Sequence, residues 1–372
     1  MTAISGAQGF APLPSPFRLR HGSELVGGRI AFESWGDLSP QRDNAILLFT
    51  GLSASAHARS AAYDPSPGWW EYMIGPGAAL DTNRYQIICV NSLGSCFGST
   101  GPLTENPLTG NPYGNDFPQL ALEDIAHGGK AVLEHLGIEH AYCVLGASLG
   151  GMVALAYVAL FPDGARSIAS ISATMAASPY AIALRSIQRE AVTSDPYWRG
   201  GRYSADSPPR TGLTLARKIG TVTYRSSQEF LTRFARNPAV DKRDFAVEDY
   251  LAEQAQRFVD RFDANSYLRL SRAMDLFDLT VHGKPVEVFQ RSALESALIV
   301  GVDFDHLFTL EEQDAIAEAL AKAGIATTFE ELHSLAGHDA FLADQILFSK
   351  VISSWFNLQH ATEKSNVAIH HR

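Results

Sequence analysis

Short runs of apolar residues recur along the chain and alternate with segments that have the periodicity of amphipathic helices. The apolar runs are rich in β-branched residues and cover residues 45–49, 85–90, 141–145, 167–171, 297–302 and 327–332. The helical segments cover residues 120–136, 149–160, 310–323 and 341–356. Buried strands that alternate with helices predict an α/β fold with a mainly parallel sheet and helices on both faces. Residues 28–35 alternate more between apolar and polar positions, which predicts an antiparallel strand at the edge of the sheet.

The alternation of strands and helices stops between residues 176 and 291. This stretch is polar and helical, with arginine and aromatic residues mixed through it. We therefore predict a core of residues 1–175 and 292–358, and a helical lid insertion of residues 176–291 that caps the ends of the strands. Residues 359–372 are polar and are predicted to form a disordered tail.

Composition narrows the classes of function. The chain has 372 residues, 46% hydrophobic and 19% charged, which is enough to bury a large core. A net charge of −10 argues against a nucleic-acid-binding surface. Three cysteines without paired spacing indicate reduced thiols, and no motif with metal-ligand spacing occurs, so we expect no bound metal. The sequence has no signal-peptide pattern and no apolar run that could cross a membrane, so we expect a cytoplasmic protein.

One serine lies in a motif typical of nucleophilic catalysis. Residues 146–150 read G-A-S-L-G, follow the apolar run 141–145 and open the helical segment 149–160. This strand–turn–helix context is that of the nucleophile elbow of the α/β-hydrolase fold, with Ser148 as the nucleophile. The small residues let strand and helix approach closely, and the backbone N–H of Leu149 at the helix start is predicted to donate to an oxyanion.

A nucleophilic serine needs a base, and the base needs a carboxylate to orient it. Asp303 and Asp305 follow the run 297–302, and His338 follows the run 327–332. The order Ser, Asp, His along the chain is that of α/β-hydrolases, so we predict His338 as the base and Asp305 as its partner, with Asp303 as the competing candidate. The backbone N–H of Leu52, in the loop after residues 45–49, is the predicted second oxyanion donor.

Beyond these motifs, the chain resembles the homoserine/serine O-acyltransferases of the α/β-hydrolase fold from about residue 16 to residue 356. The resemblance rests on residues 91–102 (NSLGSCFGSTGP), 146–152 (GASLGGM), 215–226 (LARKIGTVTYRS), 267–278 (YLRLSRAMDLFD), 305–308 (DHLF) and 337–341 (GHDAF). It implies an enzyme that moves an acyl group from an acyl-CoA to a serine side chain, and then to the hydroxyl of serine or homoserine. It also implies that no cofactor or metal takes part, that acyl-CoA is a substrate, and that the protein forms a homodimer.

The resemblance assigns roles to further residues. It selects Asp305 over Asp303, pairs Arg217 with the carboxylate of the amino acid and Asp339 with its ammonium group, and places Tyr224 among the substrate-binding residues. Both charges of a zwitterion need partners in a partly dry pocket, which makes these roles physically reasonable. The alternative for Arg217 and Asp339 is a structural ion pair. The candidates for binding the CoA phosphates are Arg185, Arg189, Lys218 and Arg225.

Three departures from the homoserine acetyltransferase pattern are similar to serine O-succinyltransferases, and partly to fungal serine acetyltransferases. Residues 51–57 read GLSASAH instead of a segment like A-L-T-G-D-A-H, residues 91–96 read NSLGSC instead of N-x-x-G-G-C, and Arg185 stands where Asn is typical. A guanidinium pairs with the free carboxylate of a succinyl group, whereas an acetyl group offers it nothing; the alternative is that Arg185 neutralises CoA phosphates or caps a helix. The residues expected to set acyl and acceptor specificity are Arg185, Leu52, Ser53, Ala54 and Ser55.

The favoured reaction is therefore the succinylation of L-serine by succinyl-CoA, a step in cysteine biosynthesis. The first alternative is the acetylation of L-homoserine by acetyl-CoA, a step in methionine biosynthesis. The other two are hydrolysis of a carboxyl ester by the same triad and a non-catalytic binding protein of the same fold.

Overall fold

An eight-stranded sheet forms the centre of the protein in the computed structural model, which describes residues 6–237 and 245–370. In chain order its strands are β1 (Gly6–Pro12), β2 (Arg29–Trp35), β3 (Ala45–Phe49), β4 (Gln86–Val90), β5 (Ala141–Ala147), β6 (Ala165–Ile171), β7 (Ser296–Val302) and β8 (Ala326–Leu332). Their order across the sheet is β1-β2-β4-β3-β5-β6-β7-β8. β2 is antiparallel to both β1 and β4. The six strands β3 to β8 are all parallel to one another.

Three pairs of two-residue strands lie outside this sheet. Phe17–Arg18 pairs with Glu24–Leu25, Ile74–Gly75 with Leu80–Asp81, and Glu105–Asn106 with Asn111–Pro112. They are local features of the connecting loops.

Helices cover both faces of the sheet because its central strands are apolar on both sides. In β3, Leu47 and Phe49 pack into one core and Ile46 and Leu48 into the other. The first core also receives side chains of α1 (Leu122–His135), α2 (Leu149–Leu160) and α9 (Leu310–Lys322). The second is closed by α10 (Ala340–Ala343) and α11 (Gln345–His370). The α/β fold with a mainly parallel, two-faced sheet is confirmed.

The chain between β6 and β7 is helical. It contains α3 (Pro179–Thr193), α4 (Arg210–Tyr224), α5 (Ser227–Phe234), α6 (Ala246–Val259), α7 (Ala264–Leu276) and α8 (Pro285–Gln290). Helices α3, α4, α6 and α7 pack on one another, whereas α8 packs on α9 and α2 of the core. The helical content of this stretch agrees with the sequence prediction; its division into a separate lid stays an interpretation.

Three details differ from the sequence predictions. β2 is not an edge strand, because β1 pairs with it along its whole length and forms the edge instead. The helix expected over residues 341–356 is divided at Asp344 into α10 and α11. Residues 359–370, part of the predicted disordered tail 359–372, continue α11 to His370, and residues 371 and 372 lie outside the described residues. None of the helices in the described part of the chain is long and apolar enough to cross a membrane.

Candidate active site

Ser148 lies in the sharp turn between β5 and α2. Its backbone has φ 56° and ψ −125°, a conformation that residues other than glycine rarely adopt. A methyl group on Gly146 would overlap the backbone of Gly150, and one on Gly150 would overlap the carbonyl group of Phe49. These two glycines therefore allow strand and helix to meet closely enough to hold the serine in this turn.

The three residues predicted to form a catalytic triad meet at the carboxyl ends of β5, β7 and β8. Nε2 of His338 lies 2.8 Å from Oγ of Ser148, and Nδ1 lies 2.8 Å from Oδ2 of Asp305. All three side chains are buried. The distances are those of hydrogen bonds, so the arrangement can deprotonate the serine as it attacks an acyl group.

The structure distinguishes the two aspartates of the loop after β7. Oδ1 of Asp305 accepts hydrogen bonds from the backbone N–H groups of Leu307 and Phe308, both at 2.9 Å, which fix the carboxylate beneath the imidazole of the triad. Asp303 instead contacts Nδ1 of His333, and its other oxygen accepts from Ser334 N–H at 3.2 Å. Asp303 is thus engaged elsewhere.

The environment of His338 favours its role as a base. Burial alone lowers the pKa of His338, but the negative charge of Asp305 and the hydrogen bond to it outweigh this effect, so the pKa is raised from its ordinary value. The rings of Phe308 and Tyr224 lie against the imidazole, with centroids 5.3 Å and 5.4 Å away. Burial also raises the pKa of the Tyr224 phenol, which stays neutral. Tyr224 therefore lies next to His338, and its role in substrate binding stays a prediction.

A small enclosed cavity, here called the acyl cavity, opens beside Ser148. Its volume is about 20 Å³, and its lining includes Leu52, Arg185, Gln188, Tyr224 and Tyr267. This is room for about one water molecule. Leu52 lies at Ser148 because both line this cavity. Leu149 directly follows Ser148 and begins α2, where backbone N–H groups lack partners within the helix.

Arg185 reaches the acyl cavity as a buried cation with unfilled hydrogen-bonding capacity. Its Nε donates to Oδ1 of Asp275, a carboxylate only 1% exposed, and Oδ2 of Asp275 lies 2.6 Å from Nη2 of Arg189. Neither Nη1 nor Nη2 of Arg185 has a hydrogen-bond partner among the described residues. A buried guanidinium in this state presents an anion-binding group next to the nucleophile.

A second, larger cavity of about 490 Å³, here called the outer cavity, is lined by other residues predicted for specificity and binding. Ser53, Ala54 and Ser55 line it, as does Arg217. The guanidinium of Arg217 lies 4.8 Å from the ring centroid of Phe258, and its buried Nε has no hydrogen-bond partner among the described residues. Leu52 and Ser53 are consecutive, so a single loop borders both cavities.

Asp339 is held in an ion pair. Its Oδ2 lies 3.2 Å from Nε of Arg225, which also contacts Glu229. Arg225 is one of the four residues predicted to bind the CoA phosphates, and it is already paired with Asp339. Two others, Arg185 and Arg189, are paired with Asp275. Two further arginines, Arg257 and Arg261 of the α6 region, line the outer cavity instead.

No group of three or more His, Cys, Asp or Glu residues in the described ranges could hold a metal ion.

Comparison with known proteins places this site in a family. A family model described as the alpha/beta hydrolase fold matches residues 44–345. The chain is 50% identical over 359 residues to a serine O-succinyltransferase of Litchfieldella anticariensis, covering 94% of this chain and 98% of the relative. It is 48% identical over 354 residues to an L-serine/homoserine O-acetyltransferase of Streptomyces lavendulae, covering 92% and 95%. The chain belongs to the serine/homoserine O-acyltransferases of the α/β-hydrolase fold.

Solved structures share this family's fold over most of the chain. A homoserine O-acetyltransferase from Bacillus anthracis is 26% identical with a TM-score of 0.87, covering 95% of this chain and 98% of the other. The esterase E22 is also 26% identical, with a TM-score of 0.86 and coverage of 94% and 99%. Acyltransferases and esterases thus share one backbone, and the fold alone does not separate the two reactions.

Sequence reasoning missed several residues at this family's site. Asp275 lies in the quoted segment 267–278, yet nothing in that segment marks it as the partner of Arg185 ninety positions earlier. Gln188 and Tyr267, which line the acyl cavity and hydrogen-bond to each other at 2.7 Å, were also missed. A signal was present, because Gln188 lies three residues after Arg185, on the same face of α3.

Proposed function

We propose that the protein is a serine O-succinyltransferase, which moves the succinyl group of succinyl-CoA to the hydroxyl of L-serine through an acyl-Ser148 intermediate. The observation that carries the proposal is the Arg185 guanidinium, which is buried beside Ser148 and has two nitrogens without a hydrogen-bond partner in the described part of the chain. The distal carboxylate of a succinyl group gives these nitrogens a charged partner, whereas an acetyl group gives none. A succinyl group is larger than one water molecule, so its entry requires the lining side chains to move apart.

In the first half-reaction, Oγ of Ser148 attacks the thioester carbonyl while Nε2 of His338 accepts its proton. Asp305 stabilises the imidazolium that forms, and the backbone N–H groups of Leu52 and Leu149 donate to the oxyanion. The tetrahedral intermediate collapses, the C–S bond breaks, and the proton on His338 passes to the departing CoA sulfur. Ser148 then carries the succinyl ester.

In the second half-reaction, the hydroxyl of L-serine attacks this ester and gives its proton to His338, which returns it to Oγ of Ser148. The proposal assigns Arg217 to the carboxylate of the amino acid and Asp339 to its ammonium group. Oδ2 of Asp339 pairs with Arg225, so Oδ1 is assigned to the ammonium. The ring of Tyr224 lies near both the guanidinium of Arg217, at 5.9 Å, and the imidazole of His338, at 5.4 Å. The proposal therefore places Tyr224 beside the acceptor.

Transfer must compete with water, which is present at a concentration of tens of molar. Orienting a bound acceptor supplies effective molarities of roughly 10⁵ M or more. The acyl cavity supports this competition, because it has room for only about one water molecule when empty, so a succinyl group that enters it fills the space. Enclosure of Ser148 therefore favours transfer over hydrolysis.

Two alternatives have specific support. Acetylation of L-serine or L-homoserine is favoured by the name of the Streptomyces lavendulae relative. Ester hydrolysis is favoured by the likeness to esterase E22. The cytoplasmic location and the homodimer stay predictions.

A steady-state assay that crosses L-serine and L-homoserine with acetyl-CoA and succinyl-CoA tests the proposal. We expect the highest kcat/KM for L-serine with succinyl-CoA, and loss of transfer in Ser148→Ala. CoA release that is equally fast without an amino acid would identify a hydrolase. A preference for acetyl-CoA would identify an acetyltransferase and remove the proposed role of Arg185.

A further inference from the structure

The loop that borders both cavities ends at a histidine outside the triad. Leu52 of this loop lines the acyl cavity, and Ser55 and His57 line the outer cavity. Nε1 of Trp69 donates to the carbonyl oxygen of Ser55 at 2.9 Å, which fixes the middle of the loop. His57 fixes its end.

Both ring nitrogens of His57 face atoms that accept hydrogen bonds. Nδ1 lies 2.9 Å from Oε2 of Glu33 in β2, and Nε2 lies 2.8 Å from the carbonyl oxygen of Ser66. A carbonyl oxygen can only accept, and a carboxylate can only accept, so both nitrogens must carry a hydrogen. The hydroxyl of Ser66 also lies 3.3 Å from Nε2, but it donates to Oδ1 of Asp64 at 2.6 Å. With Glu33 ionised, the geometry therefore favours an imidazolium over a neutral ring. Glu33 is only 7% exposed, so this cation also neutralises a buried carboxylate.

Other groups around His57 are consistent with a positive ring. The hydroxyl of Tyr63 donates to the same Oε2 of Glu33 at 2.8 Å, and Oδ2 of Asp64 lies 3.8 Å from Nδ1 of His57. Burial alone lowers the pKa of His57, but the Ser66 carbonyl and the Glu33 carboxylate outweigh it, and the pKa is raised from its ordinary value. The carboxylate is thus one reason that the ring keeps its second proton.

We propose that His57, held as an imidazolium between Glu33 and the Ser66 carbonyl, is a positioning residue that fixes the loop carrying the oxyanion donor Leu52. His57 touches neither the nucleophile nor the acyl group and acts through the backbone of residues 52–57. The inference rests on the acylation of Ser148, a step that both a transferase and an esterase would carry out. It therefore does not depend on which acyl donor or acceptor the protein uses.

The test measures the rate of acyl-Ser148 formation by mass spectrometry between pH 6 and 8.5, in wild type, His57→Gln and Glu33→Gln. p-Nitrophenyl acetate and succinyl-CoA serve as acyl donors. Complete loss of one oxyanion donor costs roughly 10²–10³-fold, so a displaced donor in His57→Gln should slow acylation about tenfold at every pH. In Glu33→Gln the ring loses the carboxylate that helps hold its second proton. The ratio of its rate to that of wild type should therefore lie near one at pH 6 and fall as pH rises.

The matched control is Tyr63→Phe, which removes the other hydrogen bond to Oε2 of Glu33 and leaves the imidazolium, and it should acylate within twofold of wild type. Wild-type acylation in His57→Gln would overturn the proposal. A merely structural role would lower the melting temperature of His57→Gln and Glu33→Gln while the Glu33→Gln rate ratio stayed independent of pH, and this too would overturn it. Because p-nitrophenyl acetate needs neither CoA nor an amino acid, failure of serine succinylation leaves the test intact.

Discussion

Replacing Arg185 by asparagine tests donor selection most directly. In the proposed complex the two unpartnered nitrogens of Arg185 bind the distal carboxylate of the succinyl group. A charge-assisted pair of this kind, buried from water, is worth about 3 kcal/mol. Arg185→Asn should therefore lower kcat/KM for succinyl-CoA roughly a hundredfold. Acetyl-CoA has no distal carboxylate, so its kcat/KM should change little.

The variant is expected to fold, because the buried carboxylate of Asp275 keeps its second partner. Nη2 of Arg189 lies 2.6 Å from Oδ2 of Asp275 and remains after Arg185 is removed. This second contact also supplies the matched control, Arg189→Gln. It alters the same buried ion pair, but Arg189 is not among the residues that line the acyl cavity. Arg189→Gln should leave the ratio of the two donors within a few-fold of wild type.

The assay is the ratio of kcat/KM for succinyl-CoA to that for acetyl-CoA, measured with saturating L-serine. Melting temperatures measured alongside exclude a general loss of structure. An Arg185→Asn ratio equal to that of wild type would refute the reasoning. Equal losses with both donors would also refute it, because they would give Arg185 a role in the architecture of the site and none in recognising the acyl group.

Three further predictions concern the base, the elbow and the acceptor. The raised pKa keeps His338 protonated to higher pH, so kcat/KM should fall as pH drops through the pKa of His338, which lies above the ordinary value for histidine. In Asp305→Asn this fall in kcat/KM should occur at lower pH, and the rate should decrease by roughly 10⁴. A pH profile of Asp305→Asn with the same acidic midpoint as wild type would contradict the effect of Asp305 on the pKa of His338. Gly150→Ala should destabilise the protein by about 1–3 kcal/mol in denaturant unfolding, because the new methyl overlaps a carbonyl group of β3. Gly51→Ala, whose methyl would have no neighbour closer than 3.8 Å, should be tolerated, and equal effects would contradict the packing argument. Arg217→Ala should raise KM for L-serine at least tenfold while single-turnover acylation of Ser148 keeps its rate; equal loss in both half-reactions would exclude its role at the acceptor.

The sheet was largely predictable from the sequence because most of its strands are continuous apolar runs. β3 was predicted at its observed bounds, and β7 within one residue. β1 was missed because its sequence, GAQGFAP, has two glycines and a proline and no periodic apolar pattern. It is a strand because β2 offers a complete antiparallel partner, an interaction that propensity cannot show.

The convergence of Ser148, Asp305 and His338 was also predictable, because the three residues follow separate strands in a recognisable order. The choice between Asp303 and Asp305 was not available from spacing, since both lie on one loop. It depends on two backbone N–H groups that hold Asp305 and on the engagement of Asp303 with His333. The ion pair of Asp339 with Arg225 joins positions more than a hundred residues apart, and only the packing of the helical insertion brings them together.

Chemistry and selectivity come from different parts of this fold. Ser148 and His338 follow core strands, and esterase E22 shares this fold at a TM-score of 0.86, so the core by itself does not select a particular acyl group. Arg185 and Asp275 come from α3 and α7 of the insertion. Arg189 shares the carboxylate of Asp275 with Arg185, and the half-exposed Arg272 lies 3.9 Å from the same carboxylate, so cations outnumber anions in this group. A carboxylate at the end of the acyl chain would pair with the two nitrogens of Arg185 that have no hydrogen-bond partner among the described residues, whereas an acetyl group offers them nothing. We therefore propose that discrimination between donors follows from the two nitrogens of Arg185 that Asp275 leaves without a partner.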